Sequence, residues 1–186
     1  MDSSSHRPST NKGTDTVHGV LIDVAGVGVL ITGEAGTGKS ECALGLLARR
    51  HRLVADDVVE VRRRGEDLLG SAPARFAGVL EVRDLGIVDV RELFGPSSFV
   101  LRHKIDVCIH LNRNEEGDEG ERFPGMTGEL NILGINIRRF SISSCMSRDV
   151  CLLVETASKM VQNSSIDVTS DLVREHDRQV RAASAR

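Results

Sequence analysis

Gly33-Glu34-Ala35-Gly36-Thr37-Gly38-Lys39-Ser40 is the stretch of this sequence that decides the fold. It matches the phosphate-loop pattern G-x-x-x-x-G-K-[ST] at every fixed position. The apolar residues 27–32 before it predict a buried strand, and residues 41–50 after it predict a helix with one apolar face. Because a phosphate loop joins a strand to a helix, these flanks support the match. The sequence therefore predicts an α/β domain that binds a nucleoside triphosphate.

The chemistry expected of residues 33–40 follows from their composition. Glycines allow successive backbone N–H groups to point at one anion, placed at the positive end of the following helix. We expect Lys39 to reach the outer phosphates of the nucleotide and Ser40 to offer its hydroxyl to a Mg²⁺ ion. All eight residues of the loop form the predicted nucleotide-binding set.

Composition narrows the class of protein. The chain has 186 residues, of which 40% are hydrophobic and 27% charged, as in an ordinary globular domain. Residues 1–16 are rich in Ser, Thr and charge, and we expect a disordered tail there and a single domain over residues 17–186. A net charge of −3 and an aromatic content of 3% do not favour nucleic-acid binding.

Neither a signal peptide nor a membrane-spanning apolar run occurs in the sequence, which predicts a cytoplasmic protein without a membrane partner. Four cysteines without a C-x-x-C pair are expected to be reduced core residues.

The remaining periodicity predicts mainly strands. Residues 17–24 and 26–31 are expected to form two strands that turn back on one another. Residues 80–90 are predicted to form one extended strand with Glu81 and Arg83 on the same side. Residues 150–154 are expected to form a later strand, followed by a helix that begins near Thr156 and a charged helix over residues 171–186.

Two adjacent carboxylates stand out because they end an apolar run, at Asp56 and Asp57. Like charges at a strand end are costly unless a partner stabilises them. In a phosphoryl-transfer site the partners are a metal ion, Lys39 and a hydroxyl whose proton one carboxylate accepts. A polar turn is the alternative interpretation, and composition alone favours a structural role for His18 at a strand end.

Several blocks, taken together, resemble the catalytic domain of the HPr kinase/phosphorylase family, which phosphorylates a serine of the phosphocarrier protein HPr. The matching segments cover roughly residues 17–160: His18-Gly19, residues 33–41, residues 51–57, Leu80-Glu81-Val82-Arg83, Leu85-Gly86-Ile87, Glu121-Arg122-Phe123 and Ile132-Leu133-Gly134. The resemblance implies a phosphate-loop fold related to phosphoenolpyruvate carboxykinase, with a mixed sheet and flanking helices. It also implies a homohexamer, with ATP and Mg²⁺ as cofactors and HPr as the protein substrate.

The same resemblance implies roles for individual residues. Asp57 resembles the family's base, which accepts the serine proton in the kinase direction and donates a proton in the reverse direction. Asp56 is expected to assist it. Ser40 and Glu81 are the implied Mg²⁺ ligands, and Lys39 is implied to stabilise the transferred phosphoryl group. His18 and Arg122 match further catalytic positions, Arg122 as a phosphate clamp.

Three departures from the family pattern accompany the resemblance. The family has a separate N-terminal domain, whereas only a short tail precedes the matching part here. Asp84 replaces a family glycine and is expected to need ordinary backbone geometry. Residues 143–148 keep only Arg148 of the segment associated with phosphorolysis, the removal of the serine phosphate by inorganic phosphate, so that activity and pyrophosphate chemistry stay open.

Two other functions compete with the protein kinase. A small-molecule kinase built on the same loop would favour an arginine-rich lid, which the sequence does not clearly contain. A nucleotide-binding regulatory protein without turnover is favoured by the changes at Asp84 and in residues 143–147, and is opposed by the retention of Lys39, Asp57 and Glu81.

Overall fold

The computed structural model describes residues 13–113, 126–144 and 148–163. The strands within them are β1 (Thr14–His18), β2 (Val20–Val24), β3 (Val27–Gly33), β4 (Arg52–Ala55), β5 (Val58–Arg64), β6 (Asp67–Ser71), β7 (Val79–Val82), β8 (Gly86–Asp89), β9 (Arg102–Lys104), β10 (Val107–Asn112), β11 (Met126–Ile132) and β12 (Ile135–Ser143). The helices are α1 (Lys39–Ala48), α2 (Val90–Phe94) and α3 (Val150–Gln162).

A six-stranded mixed sheet in the order β11-β12-β10-β3-β2-β4 forms the centre of the domain. Strand β10 runs parallel to both β3 and β12, while β2, β4 and β11 pair antiparallel with their neighbours. Side chains of β3 alternate between two cores, with Val29 and Ile31 in one and Leu30 in the other. Alternation of this kind, with apolar residues on both sides, shows that both faces of the sheet are covered.

Different layers cover the two faces. The core that contains Ile31 also contains Leu46 of α1 and Val154 of α3, so helices pack on that face. The other core contains Val59 and Leu68 from a four-stranded sheet in the order β1-β5-β6-β9. The predicted α/β class with a mixed sheet is confirmed, and among the described residues the packed helices lie on one face while a second sheet covers the other.

The predicted return of the chain after residue 24 is confirmed by an antiparallel β2–β3 hairpin, but the single strand predicted over residues 17–24 is wrong, because the chain passes at Gly19 from β1 in one sheet to β2 in the other. Asp23, which is 1% exposed, fixes this hairpin: its Oδ1 accepts from the Gly26 N–H at 2.7 Å and its Oδ2 accepts from Arg52 Nε at 2.8 Å. A buried carboxylate that is paired and hydrogen-bonded in this way is a structural group.

The single strand predicted over residues 80–90 is wrong. Strands β7 and β8 form an antiparallel hairpin, in which Glu81 lies opposite Ile87. The turn contains Asp84, whose φ of +67° is left-handed, so the ordinary geometry expected for this residue is also wrong. Aspartate tolerates this region better than most residues because its short side chain bonds locally.

The strand predicted over residues 150–154 is the beginning of α3. Asp149 caps this helix, because its Oδ1 accepts from the Leu152 N–H at 3.0 Å. The buried positions Val154, Ala157 and Ser158 follow helical spacing and face the core. A short apolar run does not distinguish a strand from a buried helix, and the cap decides it here.

Strand β1 corrects the end of the predicted tail. Thr14 pairs with Arg62 and His18 pairs with Val58, so the second sheet begins before residue 17. Residues 1–12 of the expected tail, the acidic segment 114–121 and the helix expected over residues 171–186 lie outside the described residues. In the part of the chain that the structure describes, every helix is too short or too polar to cross a membrane.

Candidate active site

The loop over residues 33–40 leaves the end of β3 and enters α1, as the sequence predicts. Gly33 has a φ of +143°, and a Cβ at this position would lie 2.5 Å from the Leu111 carbonyl oxygen. Gly38, at the N-cap of α1, is left-handed with a φ of +86°. Both positions therefore need glycine, and Thr37 closes the loop by donating its hydroxyl to the Glu34 carbonyl at 2.9 Å.

The Lys39 ammonium lies over the loop. Its Nζ donates to the carbonyl oxygens of Gly33 and Glu34, each at 2.9 Å. These contacts hold a positive charge at the mouth of the loop, where an anion would meet the backbone N–H groups.

A cavity of about 540 Å³ opens beside the loop. We call it the carboxylate cavity, and its functional lining residues are His18, Ala35, Gly36, Gly38, Lys39, Ser40, Asp56, Asp57, Glu81, Arg83 and Asp84. Four separate parts of the chain contribute to it: the end of β1, the loop, the β4–β5 turn and the β7–β8 hairpin. The structure thus brings together every predicted catalytic and metal residue that it describes.

His18 and Asp57 meet at the entrance of the carboxylate cavity. The pairing of His18 with Val58 places it beside the preceding residue, and His18 Nδ1 lies 3.1 Å from Asp57 Oδ1. Both side chains are more than half exposed, at 61% and 64%. Asp57 has a left-handed φ of +62°, a conformation that costs on the order of 1 kcal/mol and is concentrated at functional sites.

Asp56 has a different environment from its neighbour. It is 8% exposed, and its Oδ2 accepts from the Glu81 backbone N–H at 2.9 Å. Burial raises the pKa of the Asp56 carboxyl, and the hydrogen bonds from the backbone of Glu81 and Asp57 oppose that effect. Asp56 therefore connects the β4–β5 turn to β7 and positions Glu81. The carboxylate of Asp57 is exposed in the cavity and accessible to a ligand.

Two arginines approach the apex of the loop at Gly36. The position that a Cβ on Gly36 would occupy lies 3.3 Å from Arg113 Nη2 and 3.6 Å from Arg83 Nη2. Arg113 also donates from Nη2 to the Gly36 carbonyl at 3.3 Å. Their guanidinium groups add positive charge where the outer phosphates of a nucleotide would lie.

Sequence reasoning missed Arg113, a single arginine before an acidic segment. The apolar run of β10, which ends directly before Arg113, is the signal that could have identified this residue. A parallel neighbour of β3 ends at the same sheet edge as the phosphate loop, so the residue after β10 lies beside that loop.

The donor set of the carboxylate cavity suits Mg²⁺ in part. Glu81 and Asp57 offer carboxylates and Ser40 a hydroxyl, which are the hard oxygen ligands that this ion prefers. No group of three His, Cys, Asp or Glu side chains among the described residues is arranged to hold a metal by itself. Mg²⁺ usually keeps several waters and takes only one or two carboxylates together with phosphate oxygens, so the residues present fit that mode.

A second cavity, of about 630 Å³, lies on the other side of the loop. We call it the thiol cavity, and it is lined by Gly36, Thr37, Gly38, Glu41, Cys42, Arg113, Ser144, Arg148, Asp149, Val150 and Cys151. Arg148, the residue kept from the phosphorolysis segment, is exposed here. A third concavity, of about 660 Å³ against β1, β5 and β6, contains none of the predicted site residues.

Two predicted features fall outside the described residues. Arg122 is one of them, so its expected position as a phosphate clamp stays a prediction. Residues 145–147 of the altered segment are the other. Cys42, Cys108 and Cys151 are free thiols, as expected for reduced cysteines.

Comparison with known proteins shows which family this chain resembles. Residues 11–176 match the model of the HPr Serine kinase C-terminal domain family. An HPr kinase/phosphorylase of Clostridium beijerinckii is 43% identical over 143 residues, which are 76% of this chain and 47% of that protein. An HPr kinase/phosphorylase of Bordetella pertussis is 43% identical over 145 residues, with 77% and 47% covered.

A solved structure agrees with these relatives. The Hpr(Ser) kinase/phosphatase from Coxiella burnetii superposes with a TM-score of 0.70 at 32% identity, covering 83% of this chain and 98% of that one. The chain spans about half the length of the curated relatives that it matches. With the phosphate loop, the mixed sheet and the carboxylate cavity in place, the chain belongs to the HPr serine kinase C-terminal domain family.

Proposed function

We propose that this chain transfers the outer phosphoryl group of ATP to a serine of the phosphocarrier protein HPr. The observation that carries the proposal is the His18–Asp57 contact of 3.1 Å in the cavity that also contains Lys39. A carboxylate that is exposed, oriented by a histidine and in the same cavity as a lysine can accept a hydroxyl proton beside a phosphoryl donor. The names of the relatives support HPr as the acceptor.

In the proposed phosphoryl transfer, each residue of the carboxylate cavity has a separate role. The backbone of residues 33–40 holds the phosphates, and Lys39 exchanges its two carbonyl contacts for phosphate oxygens. Asp57 takes the proton from the serine hydroxyl, and His18 orients the Asp57 carboxylate. Positioning and neutralisation of charge supply most of the rate enhancement, because phosphoryl transfer requires little covalent chemistry from the protein.

We propose Ser40 and Glu81 as the Mg²⁺ ligands. Bound Mg²⁺ would neutralise negative charge on the phosphate oxygens. Glu81 is suited to this role because Asp56 holds its backbone in place from the β4–β5 turn. Asp56 acts through Glu81 and is a positioning residue.

The reverse reaction is a second proposed function. In phosphorolysis, an oxygen of inorganic phosphate attacks the phosphorus of phosphoserine, and the bond from that phosphorus to the serine oxygen breaks. Pyrophosphate forms, and the departing serine oxygen takes the proton that Asp57 holds. Arg148 supports this proposal because it lines the thiol cavity together with Gly36 and Gly38 of the phosphate loop. A phosphate bound near the loop would meet its positive charge together with that of Arg113.

Intact-mass analysis of HPr tests both proposals. HPr incubated with the chain and MgATP is expected to gain one phosphate, and to lose it after removal of nucleotide and addition of inorganic phosphate. A persistent adduct would contradict phosphorolysis alone. Absence of an adduct despite nucleotide binding would contradict the kinase proposal and favour a regulatory protein or a small-molecule kinase.

The remaining expectations from the resemblance are proposals as well. We propose a homohexamer, which light scattering of the purified chain would measure directly. The cytoplasmic location predicted from the sequence stays a prediction.

A further inference from the structure

Cys42 and Cys151 approach one another where α1 and α3 pack together. Cys42 is the fourth residue of α1 and Cys151 the second residue of α3, and Cys151 Sγ donates to the Cys42 carbonyl oxygen at 3.5 Å. The sequence separates these residues by more than a hundred positions, so only the packing of the two helices brings them together.

Gly45 creates the space for the Cys151 sulfur. It lies three residues after Cys42 on the same face of α1, and a Cβ on Gly45 would be only 2.5 Å from Cys151 Sγ. The Cys151 sulfur therefore rests directly on the surface of α1, between the positions of Cys42 and Gly45.

A small reagent can reach the pair through the thiol cavity, which both cysteines line. Cys42 is 4% exposed and Cys151 is half-buried, so Cys151 is the more accessible thiol. Interaction with the Cys42 thiol and the positive charge of Arg49 lower the pKa of Cys151 below that of an ordinary thiol, and partial burial opposes this effect. This environment favours the thiolate, which is the nucleophilic form, at Cys151 over Cys42.

Cys108 provides the contrast within the same protein. Its side chain is fully buried on the other face of the central sheet, where Thr32 Oγ1 is 3.5 Å from its sulfur. Burial raises the pKa of the Cys108 thiol, which favours the unreactive form.

We propose that Cys42 and Cys151 form an oxidation site, at which hydrogen peroxide converts the two thiols into a disulfide beside the phosphate loop. The Cys151 thiolate attacks one peroxide oxygen, the O–O bond breaks, and the hydroxide that leaves takes up a proton to form water. Cys151 is now a sulfenic acid. The Cys42 sulfur attacks the Cys151 sulfur, and the hydroxide that leaves takes the Cys42 proton as a second water. Two thiols lose two electrons, and one peroxide becomes two waters.

The disulfide acts on the nucleotide site because Cys42 lies three residues after Lys39, in the helix whose N-terminus forms the loop. The link joins α1 to the first turn of α3 and draws together two walls of the thiol cavity, which Gly36 and Gly38 also line. Oxidised protein is therefore expected to bind MgATP about tenfold more weakly, a usual size for coupling between two sites. This consequence rests on the proposed nucleotide binding, whereas the disulfide does not.

The test treats the whole chain with hydrogen peroxide, removes the peroxide with catalase, alkylates the remaining thiols in denaturant and maps the peptides without reduction. We expect a peptide pair joined through Cys42 and Cys151, loss of two hydrogen atoms from the intact mass, and reversal by dithiothreitol. Cys42→Ala and Cys151→Ala, made separately, should each abolish the joined peptides. Cys145→Ser, the matched control, should not.

Joined peptides that contain Cys108 or Cys145, or sulfinic acid at Cys151 in place of a joined pair, would overturn the proposal. MgATP affinity is measured on the same reduced and oxidised samples. Equal affinity in both would overturn the coupling to the loop, and no MgATP binding by the reduced chain would contradict the proposed function while leaving the disulfide test intact.

Discussion

The two cavities on either side of the phosphate loop are built in different ways. The carboxylate cavity takes its groups from the loop and from strand ends, and Asp56, Asp57 and Glu81 lie in recognisable sequence patterns. Apart from residues 36–38 of the loop, the thiol cavity takes its groups from single residues, such as Arg113 and Cys151, that no functional motif includes. A motif identifies the residues that local structure holds in place, and it misses those that meet only through packing.

The largest expected effect concerns the carboxylate cavity. Replacing Asp57 with Asn removes the proton acceptor but keeps a hydrogen-bond partner for His18, so the rate of HPr phosphorylation should fall roughly 10²- to 10⁴-fold. MgATP affinity should change little. Glu66→Gln, at an exposed hairpin turn away from the cavity, is the control and should keep full activity. Normal activity of Asp57→Asn would remove this residue from the mechanism.

A smaller effect is expected from Arg113, which lines the thiol cavity and bonds to Gly36, a residue that lines both cavities. Arg113→Gln removes the positive charge at the Gly36 apex, and kcat/KM for MgATP should decrease roughly 10- to 100-fold. Arg102→Gln, on exposed β9, is the matched control. If both variants behave alike, the approach of Arg113 to the loop has no catalytic value.

Packing in the thiol cavity can be tested through Gly45. Gly45→Ala places a Cβ 2.5 Å from Cys151 Sγ and should destabilise the protein by about 1–3 kcal/mol, measured by urea unfolding. Adding Cys151→Ala removes the sulfur that the new Cβ would meet. The double variant should recover the lost stability, because alanine at position 45 is a better helix former than glycine by about 1 kcal/mol. Additive effects of the two substitutions would show that the sulfur does not lie on α1.

The smallest effect concerns the cap of α3. A hydrogen bond from Arg49, supported by the Leu152 N–H, holds the pKa of Asp149 below its usual range. The ionised Asp149 carboxylate therefore stabilises the folded chain at pH values above the ordinary aspartate pKa, and this stabilisation is lost as the pH falls through the lowered pKa. Asp149→Ala should lower Tm by a few degrees at neutral pH, and the difference from the unmutated chain should shrink in acid.

Asp149→Asn separates the two contributions in that experiment, since asparagine can still cap the helix but cannot pair with Arg49. A Tm difference between Asp149→Ala and the unmutated chain that does not change with pH would assign the stabilisation to the cap alone.

Much of the carboxylate cavity could be predicted from the sequence. The loop over residues 33–40, the two carboxylates that follow β4 and the position of Glu81 beside them are all found where local patterns and family resemblance place them. The helical start at Val150 was not predicted, because a short apolar run fits either a strand or a helix. The hairpin turn was not predicted, because Asp84 occupies the left-handed conformation for which glycine is the usual signal. His18 was assigned through resemblance, since a single histidine carries no periodic signal.

What the sequence determined by itself is the local chemistry: a glycine-rich loop between an apolar strand and a helix, and two carboxylates where an apolar run ends. Backbone geometry over a few residues is enough to specify these features. Only the tertiary structure decided that His18 meets Asp57, that Arg113 reaches Gly36 and that Cys151 lies against Cys42. Each of these contacts depends on the pairing register of β1 with β5, the order of β3 and β10, or the packing of α1 against α3. Long-range pairing is a property of the whole chain, because many distant apolar contacts set it together.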